Sequence, residues 1–371
     1  MRLFHVVCLV ICGVALVACS KQPGNEADVA TGPDAVAPAN DSPASVEGSL
    51  ATGQGAAPAI DYGDWLPPPA ELDLRYREPY PKLVQAAQAG DAEAHIKLAS
   101  LSQQIASTLV RGGKIDAAYE FFLQSGRALR AGMPQAADVL PESAIGNIYI
   151  MEASALARSG QLPAAVSAVD DAVAHGFSQL SAIEQDPDLS AVSSTEGYAE
   201  RFEGWLQAVK ERAVATAKKD LAAGETYPFT FVGTDIQGNE QSLEALAGKV
   251  VIVDFWGTWC PPCRAEIPSF VELQERYGEQ GFQMIGLNYE RKESEEANVK
   301  AVVDFAEEFS MNYPCILSDE ETRAQVPNFR GFPTTLFIDR SGKVRMTVVG
   351  LHEFAYLEAV VNVLLAEEPN S

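Results

Sequence analysis

Two kinds of hydrophobic pattern divide the chain. Across residues 82–223, apolar positions recur at three- and four-residue spacing among many alanines, with few β-branched runs. That spacing predicts one helix after another. From Tyr227 onward, short β-branched runs alternate with amphipathic stretches. Residues 250–253, four consecutive apolar positions, read as a buried strand, and a helical pattern follows at 261–277. Residues 282–288 read as a second core strand, parallel to the first through that helix. The pattern then predicts an acidic amphipathic helix at 291–309, a short strand from Cys315 and a helix at 319–329. An antiparallel hairpin at 335–349 and a closing helix at 354–366 complete it.

The first 60 residues follow neither pattern. Residues 3–17 are almost wholly apolar after a start containing Arg2, and end in Leu16-Val17-Ala18-Cys19. The run is short for a membrane span of ~20 residues, and its small residues mark a cleavage site. Leu-x-Ala-Cys resembles the bacterial lipoprotein box, which implies a signal peptide over 1–19 and lipidation of Cys19. An ordinary secretory peptide with an incidental cysteine is the plainer reading. Ser20 after the cysteine resembles an outer-membrane sorting signal, so the expected place is a periplasm-facing outer membrane rather than the inner one. Residues 20–60 are rich in Ala, Gly, Pro, Asp and Ser and cannot bury a core, so they predict a disordered tether.

Residues 61–222 form the expected helical domain, with a lead-in carrying Trp65 and Pro67-Pro68-Pro69. An internal repeat is visible: Ala106, Leu109, Gly113, Ala118 and Phe122 have the spacing of Ala153, Leu156, Gly160, Ala165 and Val169. Small residues let paired helices approach and the glycine occupies the turn. The segments resemble tetratricopeptide repeats, although their offset exceeds the usual period of ~34 residues; an insertion over 132–142 accounts for the excess. The plain reading is a helical spacer. The functional one is a surface that binds a protein partner.

Charge narrows the partners. The 371 residues carry 27 Lys and Arg against 51 Asp and Glu, a net charge of −24. That excludes nucleic acid, whose phosphates need cations, and direct docking on anionic lipid. Of six cysteines, Cys8, Cys12 and Cys19 lie in the leader. The remaining Cys260, Cys263 and Cys315 are too few for a disulfide scaffold. Cys315 reads as a small buried residue. His95 and His175 have no ligand-spaced companions and read as structural, and His352 reads as a solvated residue near a helix start.

The chemistry concentrates at Cys260-Pro261-Pro262-Cys263, placed between a strand and a helix. Two intervening residues at a first helical turn let the sulfurs meet without backbone movement. The helix N-terminus favours a thiolate, so Cys260, at the exposed end, is the expected nucleophile and Cys263 the resolving thiol. Prolines are tolerated there because their missing N–H groups have no intrahelical partner. Half of a zinc site is the bland reading, but no second C-x-x-C and no H-x₃₋₅-H complete it. No cofactor or metal is expected.

This constellation resembles the extracytoplasmic thioredoxin-like family of TlpA and ResA, over residues 225–371. Phe229-Thr230-Phe231, Gly238, Leu243 and Gly248-Lys249 are similar to that family's N-terminal addition. Gly331-Phe332-Pro333-Thr334-Thr335 is similar to its cis-proline loop. The residues 337–343 are similar to the strand-turn-strand that follows. The resemblance implies an α/β domain, a central mixed sheet flanked by helices. It implies a redox-active Cys260–Cys263 pair, an active-site acid at Glu266 and a cis Phe332–Pro333 bond. It also implies a substrate surface at Trp259, Phe332 and Thr334. Asp254 falls where cytoplasmic thioredoxin has a buried aspartate, so two carboxylates are expected near the dithiol.

The implied activity is thiol-disulfide oxidoreduction on exported proteins, mostly as a reductant recharged by a membrane thiol donor. Cytochrome c maturation is its best-known use. An oxidant or isomerase with the same residues is one alternative, and an anchored protein-binding lipoprotein with an accessory redox domain is another. A peroxide reductase needs Pro-x₃-Thr-x₂-Cys before the cysteine. Val253 and Gly257 stand there instead.

Overall fold

The computed structural model describes residues 65–368, Pro134 excepted. The expected signal peptide, Cys19 and the 20–60 tether lie outside the described residues. The chain divides into two compact units, the first through 177 with 181–198, the second 178–180 with 199 onward.

The first unit is helical: α1 (Leu74–Arg77), α2 (Pro79–Gln88), α3 (Ala92–Arg111), α4 (Ile115–Gly132), α5 (Gln135–Val139), α6 (Glu142–Arg158), α7 (Leu162–Ala174) and α8 (Ser181–Gln185). α2 begins ahead of the expected residue 82, because Pro79 suits a first helical position. Asp91 starts α3 by accepting from the N–H groups of Glu93 and Ala94. The repeat appears as two helical hairpins, α3–α4 and α6–α7. Their turns place Gly113 and Gly160 at φ +74° and +76°, a backbone region that favours glycine. Ala106, Ala118, Ala153 and Ala165 are completely buried. α5 occupies the interruption between the hairpins. Glu152, buried on α6, is neutralised by Arg130, which also pairs with Asp171 and lies over the Tyr149 ring.

α9 (Tyr198–Ala223) ends one residue before Gly224. Apart from Tyr198 it counts with the second unit, because Ala217 and Leu221 enter that unit's core. The sequence pattern places the boundary later, between 222 and 225. Gly224 is needed for closeness: a Cβ there falls 2.2 Å from the Arg345 carbonyl oxygen.

The second unit is an α/β sandwich. Its strands are β1 (Tyr227–Pro228), β2 (Val232–Thr234), β3 (Glu240–Ser242), β4 (Val250–Trp256), β5 (Phe282–Asn288), β6 (Cys315–Leu317), β7 (Thr334–Ile338) and β8 (Lys343–Val349). Six of them form one sheet in the order β1-β8-β7-β4-β5-β6, while β2 and β3 pair separately. β4 is parallel to β5 and antiparallel to β7. The crossover from β4 to β5 is α10 (Pro261–Tyr277), which runs through Pro268. The remaining helices are α11 (Glu295–Glu308), α12 (Glu320–Ala324) and α13 (Phe354–Ala366).

α11 starts later than residue 291 because Ser294 caps it, accepting from Ala297 N–H. α12 stops short of residue 329, and the irregular stretch after it carries Phe329 and Phe332 inward. Both sheet faces are covered. Val250, Ile252 and Trp256 join Phe270, Met284 and Phe337 on one face. Val251, Val253 and Phe255 join Leu287, Leu336 and Ile338 on the other. Every residue of β4 is therefore buried, as the apolar run 250–253 predicts for its first four positions; Asp254 is buried with them.

Candidate active site

The alternation of β4 puts Asp254 on the same face as Ile252 and Trp256, beneath α10. Cys260 is the N-cap of α10, and Pro261 and Pro262 supply its first positions without N–H donors. The first N–H the helix offers is therefore that of Cys263. It points at Cys260 Sγ, 3.3 Å away. The two sulfurs are bonded to each other, with Cα atoms 5.3 Å apart. Cys263 is fully enclosed and Cys260 is 3% exposed, so even the outer cysteine is far less open than its helix-end position suggests. It is nonetheless the sulfur nearer to solvent.

Glu266 lies one turn beyond Cys263 on the same side of α10 and is completely buried. Its Oε1 accepts from His352 N–H at 2.9 Å. Its Oε2 has no hydrogen-bond partner among the described residues. Burial pushes the Glu266 carboxyl up to about 8. Asp254 is raised well above its ordinary value, first by burial and then by the charge of Glu266, against one hydrogen bond from Thr335 Oγ1 at 3.4 Å. Two carboxyl groups thus occupy the floor of the site, and each disfavours ionisation of the other.

The cis Phe332–Pro333 bond is present. Thr334 opens β7, fully buried, and donates from Oγ1 to the Gly331 carbonyl at 2.6 Å. Phe332 is the hub of an aromatic cluster, with ring centroids 5.3 Å from Trp259, 5.4 Å from Tyr289 and 5.3 Å from Phe329. Trp259 donates from Nε1 to the Tyr289 carbonyl at 2.9 Å, and the Arg291 guanidinium lies 3.4 Å from its ring centroid. Gly257 leaves room for that indole: a Cβ there falls 2.5 Å from Trp259 Nε1. The loop before Cys260 is pinned again where Thr258 Oγ1 donates to Glu290 at 2.7 Å.

The fold therefore gathers Cys260, Cys263, Glu266, Asp254, Trp259, Phe332, Pro333 and Thr334 at the end of β4. Cys315 is buried on β6 and, among the described residues, the one free thiol; burial raises it far above a reactive value. Sequence reasoning missed Tyr289 and Glu290, which steady the cysteine loop, and misplaced His352. That residue is half-buried against Glu266 rather than solvated. Its partner lies 86 residues away in sequence, and no local pattern signals such a contact.

A disulfide-bonded Cys260–Cys263 pair at a helix start, with a buried carboxyl one turn on, invites comparison with known proteins. Residues 222–360 match the Redoxin family. The thiol-disulfide oxidoreductase ResA of Geobacillus kaustophilus is 37% identical over 135 residues, 36% of this chain and 74% of that protein. ResA of Bacillus subtilis is 28% identical over 152 residues, 41% of this chain and 81% of that protein. A crystal structure of a thioredoxin-family thiol:disulfide interchange protein from Chlorobium tepidum matches with 30% identity and a TM-score of 0.34, covering 38% of this chain and 99% of that one.

Proposed function

This chain belongs to the ResA-type thiol-disulfide oxidoreductases, and from that premise we propose that it is a membrane-anchored reductant of disulfides in exported proteins. The observation that carries the reading is the first free helical N–H, from Cys263, aimed at Cys260 Sγ. It stabilises a thiolate on Cys260 and on no other cysteine of the second unit.

In the reduced enzyme, the Cys260 thiolate attacks one sulfur of a substrate disulfide. A mixed disulfide forms and one substrate thiolate leaves. The Cys263 S–H then gives its proton to Glu266, and the new thiolate attacks Cys260 Sγ. The Cys260–Cys263 bond closes and the second substrate thiolate leaves, taking up a proton from water. The substrate is reduced by two electrons and the enzyme oxidised by two. A membrane thiol donor returns them by the reverse exchange. A carboxyl poised near 8 is matched to a thiol of ordinary pKa ~8.5. Such a match serves the step that a reductant needs, deprotonation of Cys263. Asp254 is the second acceptor in reach of this site. Trp259 and Phe332 form the surface that meets the substrate chain, whereas Thr334, expected there from the sequence, is fully buried and braces the loop beneath them through its bond to the Gly331 carbonyl.

Leu16-Val17-Ala18-Cys19 supports lipidation at Cys19, and Ser20 supports the outer membrane. Cysteine pairs of exported proteins, such as those of c-type apocytochromes, are the proposed substrates. The helical unit is the proposed docking surface for a partner protein. The deciding experiment is the reduction potential of the Cys260–Cys263 pair, equilibrated against dithiothreitol or glutathione. A value near that of thioredoxin, about −270 mV, supports the reductant. One near that of DsbA, about −120 mV, replaces it with a disulfide donor.

A further inference from the structure

We propose that His352 is a positioning residue of the exchange reaction: its backbone N–H holds the Glu266 carboxyl, and its imidazole seals that carboxyl from water. The inference rests on Glu266 as the acceptor of the Cys263 proton.

The turn between β8 and α13 is Gly350-Leu351-His352. At one end, Gly350 N–H donates to the Pro333 carbonyl at 2.9 Å. At the other, His352 N–H donates to Glu266 Oε1 at 2.9 Å. Three residues thus join the substrate loop to the acid. Gly350 has φ +96°, a backbone region that a side chain strains. The imidazole is fixed on two sides. Nδ1 lies 2.8 Å from the Gly350 carbonyl, so it carries the proton and donates, and the ring stacks on Tyr356 with centroids 5.5 Å apart. Tyr356 is itself held, donating from its hydroxyl to Asp220 at 2.8 Å.

In this pose Nδ1 is 3.9 Å from Glu266 Oε1 and the His352 side chain is 25% exposed, while the Glu266 side chain is 0% exposed. The imidazole therefore separates the carboxyl from solvent on this side. The other groups facing Glu266 are Asp254 on β4, Cys263 on its own helix, and Tyr313 just before β6. None of them opens to water, since all are buried. His352 itself faces Asp220 and Tyr356. Its own burial holds it neutral at the pH where Glu266 titrates. Its effect on the acid is thus exclusion of water rather than charge. Removing the ring admits water, and a hydrated carboxyl falls back toward its ordinary range.

The test is a pH profile of a single turnover. Reduced full-length protein is mixed with excess glutathione disulfide from pH 5 to 9, and closure of the dithiol is followed by tryptophan fluorescence. Glu266→Gln is expected to remove the limb assigned to the carboxyl. His352→Ala is expected to move that limb by about one pH unit or more to lower pH, and His352→Phe, which keeps a ring on Tyr356, to leave it in place. Infrared titration of the carboxyl in the oxidised proteins reads the same midpoints without turnover, so a slow or loosened variant is still informative. A His352→Ala midpoint equal to wild type, with Glu266→Gln lacking the limb, overturns this inference and leaves the role of Glu266 standing. A His352→Phe midpoint equal to that of His352→Ala overturns the sealing role. An unchanged limb in Glu266→Gln removes both.

Discussion

Replacing Glu266 by Gln should stabilise the oxidised protein, and by an amount that depends on pH. The carboxyl titrates near 4.5 when unfolded and is pushed to about 8 in the fold. Between those values the unfolded chain has released the proton and the folded one keeps it. Folding therefore becomes less favourable as pH rises, by about 1.4 kcal/mol per pH unit. The cost is nil below about pH 4.5, about 3 kcal/mol at pH 7 and about 5 kcal/mol above pH 8. Gln is nearly isosteric, keeps the acceptor for His352 N–H and never ionises, so it avoids the cost. It also relieves Asp254 of a neighbouring charge, which acts in the same direction. Cys315 supplies a local probe, because it is a free thiol at 0% exposure within this unit. Pulsed alkylation of Cys315 in graded urea, read by peptide mass, gives the opening free energy of wild type and variant at pH 5, 7 and 9. The stabilisation should be small at pH 5 and grow to several kcal/mol at pH 9. A difference that stays constant across this range refutes the argument, since it would mean that Glu266 is no harder to ionise in the fold than outside it.

Three further outcomes are expected. Cys260→Ala should abolish turnover of a protein disulfide, whereas Cys263→Ala should accumulate mixed disulfides visible on non-reducing gels; equal turnover by Cys260→Ala and wild type contradicts the mechanism. Gly286→Ala should lower stability by about 1–3 kcal/mol, because its Cβ falls 2.8 Å from Trp256 Nε1 and 3.2 Å from Cys315 Sγ; thermal denaturation measures it, and an unchanged melting temperature counts against tight packing there. Cys19→Ser should move the protein from membranes to the soluble periplasmic fraction, and retention with membranes contradicts the lipid anchor.

What the sequence revealed and what it hid follow from the range of the interactions. β4, the dithiol and the start of α10 are legible because 19 consecutive residues hold a buried run, an aromatic turn and a C-x-x-C. Glu266 is legible through the family resemblance, which implies an active-site acid at that position, and the helix then brings it onto the side of Cys263. The register of β7 against β4, which sets Thr335 against Asp254, depends on the sheet as a whole, and so does the approach of His352. The first boundary of the second unit was hidden for a similar reason: α9 has a continuous helical pattern, and only the packing of Ala217 and Leu221 shows which core it serves.

Asp254 is the instructive case. An aspartate inside a strand buried on both faces contradicts the local pattern, and such a contradiction marks a candidate functional position when the surrounding residues all favour a plain core. Among the described residues, Asp254 accepts a single hydrogen bond, at 3.4 Å, and Glu266 at 0% exposure a single one at 2.9 Å. Two such groups side by side weaken the fold at every pH above the ordinary carboxylate range. A packing role is served better by apolar side chains of similar size. The arrangement becomes intelligible under the proposed mechanism, in which a proton is taken from an enclosed thiol, because a carboxyl denied water and given few hydrogen bonds is basic enough to receive it near neutral pH.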